Sequence, residues 1–335
     1  MERAIERIRP WVRRTPVLFS HALAETVGRP VYVKFEHLQR TGSFKLRGAA
    51  NFLAQLHASG SVPTGGVVAC SSGNHGRAVA WMAGRLGIPA TLFVPDWVDP
   101  VKLRARVESG AVVEKAGATY EDAERAASRH VAEEGLAFVS PFDDPLIIAG
   151  QGTVAMESLA QVHDEATGGS LAGSPVTDLV VPLSGGGLAA GCLLFGREHA
   201  VRTVAVAVEG APAMIRSLES GRALTGVPEG ETVASALSGG IGEPNRWSFP
   251  ILHHGLTTGD LLPIEVGEGR VREAMRYAAS EHRTVLEGGG AAALASLLDP
   301  GLQAHWAGRS GAIVVVLSGG NIAPETFRSV LDEVR

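Results

Sequence analysis

An α/β protein with parallel sheets in two lobes is what this sequence predicts, on three observations. Short apolar runs alternate with longer segments of helical spacing, the pattern of a parallel sheet covered by helices. The chain has 335 residues, whereas single cores stop growing at about 250 to 300 residues. Glycine-rich turns stand directly after predicted strands, at the carboxyl edge where open α/β sheets take their ligands.

In chain order, residues 31–35 read as a strand, and residues 49–57 carry Phe52, Leu53 and Leu56 at helical spacing. Between them, residues 41–48 (TGSFKLRG) put Lys45 at a strand-to-helix junction. Residues 67–70 form a strand, followed by a helix through Trp81 and Leu86. Then come a strand at 90–94, a helix at 101–109, a strand at 111–114, a helix at 120–134 and a strand at 137–139. This is one βαβ block, read as a small lobe of residues 51–145 inserted into a large lobe of residues 1–50 and 146–335. The large lobe begins again with a helix at 152–162, then a strand at 179–183, a helix at 189–199 and a strand at 203–208. Helices at 270–280 and 290–298 precede its last strand at 313–317. Residues 225–254 hold glycine, proline and serine with little periodicity and read as an irregular excursion.

Composition excludes several classes. Hydrophobic residues make up 45% and charged residues 19% of the chain, which is ordinary for a folded soluble protein. A net charge of −5 leaves no electrostatic footprint for nucleic acid. No apolar run reaches the roughly 18 residues of a membrane span, and residues 1–14 lack the apolar stretch of a signal peptide. Cys70 and Cys192 are the two cysteines, each in an apolar setting, so reduced thiols and a cytoplasmic location are expected.

A lysine amine reacts with an aldehyde only when its proton is easily lost, and a helix N-terminus between Phe44 and Leu46 favours the neutral form of Lys45. The competing reading is a solvated lysine in a basic turn beside Arg40 and Arg47. Two glycine turns follow strands, residues 71–76 (SSGNHG) and residues 184–188 (SGGGL). Three consecutive glycines let backbone N–H groups converge, and the helix that follows adds its positive end, a cradle suited to phosphate. Gly185, Gly187 and Gly191 also make a loose dinucleotide fingerprint, with Glu209 about twenty residues on as a ribose-binding acid would be. A nicotinamide dehydrogenase leaves unexplained the Ser-Phe-Lys turn, the turn holding Asn74, and a third turn at residues 318–321 (SGGN). Pyridoxal phosphate accounts for all of them, since it needs a lysine, a phosphate cradle, a donor to its ring hydroxyl and a partner for its ring nitrogen.

On these motifs the chain resembles a fold-type II (tryptophan synthase β-like) pyridoxal-phosphate enzyme of the serine/threonine dehydratase family, from about Thr15 to Asn321. The resemblance implies two parallel-sheet lobes with the cofactor in the cleft between them. It implies Lys45, next to Phe44, as the lysine that carries pyridoxal 5'-phosphate and moves the α-proton. It further implies Asn74 on the ring hydroxyl, Gly185, Gly186, Gly187 and Leu188 on the phosphate, and Ser318 facing the ring nitrogen. Ser71, Ser72, Asn74 and His75 would hold the substrate carboxylate. A neutral serine partner makes the ring a weaker electron sink, which suits prompt loss of a β-leaving group.

The expected activity is therefore removal of water from a β-hydroxy α-amino acid, threonine dehydratase-like, releasing a keto acid and ammonia. Phe142 resembles the threonine-dehydratase version of a position that is polar in serine racemases. Ser72, by contrast, is hydroxylated as in those racemases and could protonate the opposite face. Glu209 resembles the first carboxylate of the racemase metal site, but Ile215 stands where a second acid is expected, so no metal is expected and Glu209 is the single candidate ligand. Residues 239–242 (GGIG) with 245–247 (NRW) and residues 287–291 (EGGGA) resemble the dehydratases of hydroxyectoine utilisation. The family also suggests a homodimer. A serine racemase, a non-catalytic binding protein of the same fold and an NAD-dependent dehydrogenase stay open as alternatives.

Overall fold

The computed structural model describes residues 1–98, 109–168, 175–242 and 244–333. Ten strands form two sheets among these residues. The larger sheet has the order β1-β2-β10-β7-β8-β9, built from Val17–Phe19, Val31–Lys34, Ala312–Val316, Val176–Pro182, Arg202–Val208 and Leu261–Val266. All its pairings are parallel except β1 with β2. The smaller sheet is all parallel, with the order β5-β4-β3-β6 from Val112–Lys115, Ala90–Val94, Val67–Cys70 and Ala137–Phe138. Central strands such as β10, buried at every position, read as unbroken apolar runs because helices cover both faces of a parallel sheet.

Sequence chemistry accounts for the helix starts that matter here. Thr119 caps the helix Tyr120–Glu134 in a capping box with Asp122. The helix Pro145–Gly168 begins seven residues before the expected 152, because Asp144 Oδ1 accepts from the N–H groups of Leu146 and Ile147 and Pro145 needs no such partner. The expected irregular excursion is also shorter: Ser248–Thr258 is a helix, and residues 235–237 form one 3-10 turn. Beyond the elements the sequence predicts, the structure has β1, β9 and the helices Glu2–Ile8, His21–Val27, Ala213–Ser220 and Pro324–Asp332. The helix expected at 101–109 falls outside the described residues, save that Ser109 lies in a turn.

The helix Lys45–Ala58 joins the two sheets. Its Leu46, Ala49, Ala50 and Leu53 pack into the core of the smaller sheet with Val67, Ala69, Val79 and Met82. Its other side lies against Pro145–Gly168 through two glycines: a Cβ on Gly48 would fall 2.4 Å from Gln151 Nε2, and one on Gly150 would fall 2.6 Å from the Arg47 carbonyl oxygen. At Gly150 this is close backbone approach that admits only glycine, and it fixes the direction in which the first turn, and with it Lys45, faces.

Candidate active site

Lys45 is the first residue of its helix, and its Nζ donates to the Pro141 carbonyl at 2.8 Å. Burial alone lowers its pKa from 10.5 to about 8, so a sizeable fraction of the amine is neutral near physiological pH. The exposed basic turn is excluded by Arg47, which is fully buried. Arg47 meets Glu36 in a bidentate pair at 2.8 and 2.7 Å and reaches Glu157 at 2.8 Å. Glu157 also accepts from Lys34 Nζ at 2.5 Å, and Thr15 Oγ1 donates to Glu36. Two cations and two carboxylates thus balance in a buried cluster that ties β2 and the helix Pro145–Gly168 to the turn bearing Lys45.

The three strand-end turns meet in one cavity of about 390 Å³ whose lining includes Lys45, Asn74, Gly186, Glu287 and Ser318. Gly185, Gly187 and Leu188 line it as well, together with Phe44, Phe142, Ser71 and His75. Gly186 has φ +90°, a conformation that glycine adopts without strain. Phe142 packs directly on the loop, so that a Cβ on Gly185 would lie 2.1 Å from its ring and one on Gly187 2.8 Å from its Cα. The helix Gly187–Glu198 starts at this loop, and its first-turn N–H groups have no partner one turn earlier. Gly191 serves helix packing instead of a dinucleotide: its Cβ would meet the Ile148 carbonyl at 2.4 Å.

Asn74 opens the helix Asn74–Leu86 and stands in a chain of side-chain hydrogen bonds. Arg77 donates to Asn321 Oδ1, Asn321 Nδ2 to Asn74 Oδ1 at 2.7 Å, and Asn74 Nδ2 to Glu287 Oε1 at 2.5 Å. The chain leaves the Asn74 amide one orientation. Burial pushes Glu287 up to about 7, against the pull of Asn74 and Arg77. Ser318 Oγ donates to the Gly289 carbonyl at 3.2 Å from the cavity wall. His75 Nε2 donates to the Val139 carbonyl at 2.8 Å, and burial together with the Lys45 charge lowers its pKa to about 3. Its ring is therefore neutral, with Nδ1 a buried acceptor that has no partner. Such a ring cannot donate to a carboxylate; from this turn, the hydroxyl of Ser71 and the helix's first-turn N–H groups can.

Two sequence candidates stand apart from the cavity lining. The Ser72 hydroxyl is hydrogen-bonded to the Tyr120 hydroxyl, and it is Tyr120 that reaches the cavity wall. Glu209 closes β8 with its carboxylate beside Gly267, and no group of three metal-ligating side chains occurs among the described residues. Cys70 lines the cavity with its thiol pushed up to about 12 by burial and by Glu124, which leaves it protonated and unreactive. Glu287, Asp143 and Tyr120 were not among the sequence candidates. Glu287 opens the EGGGA run that carries the hydroxyectoine-dehydratase resemblance, which assigns it no role, and Asp143 and Tyr120 become site residues only through distant partners.

The donor set fits the cofactor that the motifs imply: an amine of lowered pKa, a glycine cradle at a helix N-terminus, an oriented amide and a hydroxyl share one cavity. Comparison with known proteins agrees. Residues 8–319 match the family model described as pyridoxal-phosphate dependent enzyme. A putative threonine dehydratase of Sinorhizobium fredii is 41% identical over 100% of this chain and 95% of its own length. An L-threonine ammonia-lyase of Geobacter sulfurreducens is 37% identical over 99% of this chain and 77% of its own. Among solved structures, maize serine racemase superposes with a TM-score of 0.85 at 30% identity, covering 99% of this chain and 95% of that one.

Proposed function

Because the chain belongs to the pyridoxal-phosphate dependent enzymes, we propose that it is a lyase of the threonine dehydratase kind, removing water and then ammonia from a β-hydroxy α-amino acid. The observation that carries this reading is the Lys45 amine, lowered to about 8 by burial and facing a cavity whose wall is the glycine cradle. Bound pyridoxal phosphate supplies an aldehyde that joins an amine and a conjugated ring that withdraws electrons from the α-carbon.

The chain's own groups do the rest. Lys45 would hold the cofactor through its Nζ, and the same atom is the group that would take the α-proton. Gly185, Gly186, Gly187 and Leu188 would hold the phosphate through backbone N–H groups. Asn74, its amide fixed by Asn321 and Glu287, would serve the ring hydroxyl. Ser318, whose hydroxyl donates to the Gly289 carbonyl at the cavity wall, would serve as the partner of the ring nitrogen. Ser71 and the first-turn N–H groups of the helix Asn74–Leu86 orient the substrate carboxylate. Phe142 offers no hydrogen bond, so the pocket disfavours serine's compact polar side chain relative to a bulkier β-hydroxy compound. A product of hydroxyectoine breakdown is such a compound, and L-threonine is its best common substitute. We place the enzyme in the cytoplasm as a homodimer, with lobes of residues 1–50 plus 146–335 and 51–145; no helix among the described residues is long and apolar enough to cross a membrane.

Serine racemase is the second reading, supported by the Ser72 hydroxyl and by the likeness to the maize enzyme. Release of keto acid and ammonia from L-serine, L-threonine, threo-3-hydroxyaspartate and ring-opened hydroxyectoine, measured side by side, tests both. Elimination should be slowest with L-serine. D-Serine as the main product would favour the racemase, and turnover of none would favour a binding protein.

A further inference from the structure

Residues 239–242 and 244–248 lie against the glycine cradle, and one carboxylate holds the second of these segments there. Asp143, next to Phe142, accepts three backbone N–H groups in a row: Arg246 at 2.7 Å on Oδ2, and Trp247 and Ser248 at 2.8 Å each on Oδ1. Its neighbour Asp144 caps a different helix, Pro145–Gly168, so the adjacent carboxylates anchor two helix starts at one point. Ser248 is fully buried, and its Oγ donates to the Gly185 carbonyl at 2.7 Å. Asn245 completes the unit: its Nδ2 donates to Ser248 Oγ at 2.9 Å and to the Ile241 carbonyl at 2.7 Å, while its Oδ1 accepts from Phe249 N at 2.7 Å. A Cβ on Gly242 would come within van der Waals distance, 3.6 Å, of the Phe142 ring.

The carbonyl of Gly185 and the N–H of Gly186 belong to one planar, trans peptide and point in opposite directions. Holding the carbonyl on Ser248 therefore turns the Gly186 N–H away from Ser248. Resting on the pyridoxal-phosphate reading, we propose that Asp143 is a positioning residue for the cofactor's phosphate: it seats Ser248, Ser248 orients the Gly185–Gly186 peptide, and the cradle is thereby set before the phosphate arrives. The Asn-Arg-Trp-Ser segment, irregular by periodicity, is the other half of this device. Preorganised N–H donors favour an anion without the cost of ordering the loop at the moment of binding.

The test is the affinity of the apoprotein, resolved from holoenzyme, for pyridoxal phosphate and for pyridoxal, which lacks the phosphate. Asp143→Ala should weaken pyridoxal phosphate by about tenfold or more while leaving pyridoxal within about twofold. Ser248→Ala should move the same ratio in the same direction. Equal losses for both ligands, or no loss for either, would overturn the proposal. Should Asp143→Ala not fold, hydrogen exchange on wild-type apoprotein decides. Inorganic phosphate should slow exchange at the amides of Arg246, Trp247 and Ser248, and unchanged rates would overturn the coupling. A wild-type apoprotein that does not bind pyridoxal phosphate at all would instead overturn the cofactor reading, and this inference with it.

Discussion

Removing the charge of Glu287 should stabilise the apoprotein at alkaline pH and do much less in acid. Burial raises this carboxyl from 4.5 to about 7, so the folded protein binds its proton more tightly than the unfolded chain does. The stability it contributes is fully present below the ordinary carboxylate range and is lost as pH rises from about 4.5 through about 7. Each pKa unit is worth about 1.4 kcal/mol, so the full swing is about 3 kcal/mol, of which some 2 to 3 falls between roughly pH 5 and 8. Glu287→Gln keeps an acceptor for Asn74 and cannot ionise. Urea unfolding of wild type and variant at these two pH values reads the effect as the difference between them at each pH. The variant should gain about 2 to 3 kcal/mol relative to wild type on going from the lower to the higher pH. A difference that stays constant within about 0.5 kcal/mol would refute the reasoning, because it would mean that Glu287 ionises alike in the folded and unfolded chain.

Borohydride reduction of the enzyme should trap the cofactor on Lys45, and the rate of adduct formation by apoprotein should rise with a midpoint about pH 8; a peptide map placing the adduct on another lysine would sink the assignment. Glu36→Gln should destabilise by about 3 to 5 kcal/mol, since it leaves Arg47 buried with half its partners gone, whereas loss of under about 1 kcal/mol in thermal or urea unfolding would argue against a cooperative cluster. Ser72→Ala should leave dehydration of an L-substrate largely intact and abolish any racemisation, as followed by chiral chromatography; loss of both together would assign Ser72 to carboxylate binding. Ser318→Asp should protonate the ring nitrogen, slow elimination and increase abortive transamination, and an unchanged product ratio would count against that pairing.

How much of this was legible in the chain follows from the range of each signal. Strand β3, its glycine turn and the helix that follows are written in consecutive residues, where apolar period, turn chemistry and helix start agree, and the structure has them at residues 67–86. Lys45 at a strand-to-helix junction and the triple glycine before a helix are likewise local, so the site's reactive amine and its anion cradle could be located, and the family match covers the same span. The short edge strand β1 and the helix Ala213–Ser220 carry too few residues to show a period. The rest is a matter of distant partners. Arg47 looks like a surface cation until Glu36 and Glu157 surround it. Asp143 and Ser248 are 105 positions apart and acquire meaning only when they share a hydrogen bond. Glu287 reads as an ordinary acid until folding takes water from it and gives it Asn74, from 213 positions away. Residue chemistry and local pattern determined which reaction this protein could carry. Tertiary burial decided the protonation of Lys45, His75 and Glu287, because a side chain's proton affinity depends on the solvent and charges around it, and those come from elsewhere in the chain.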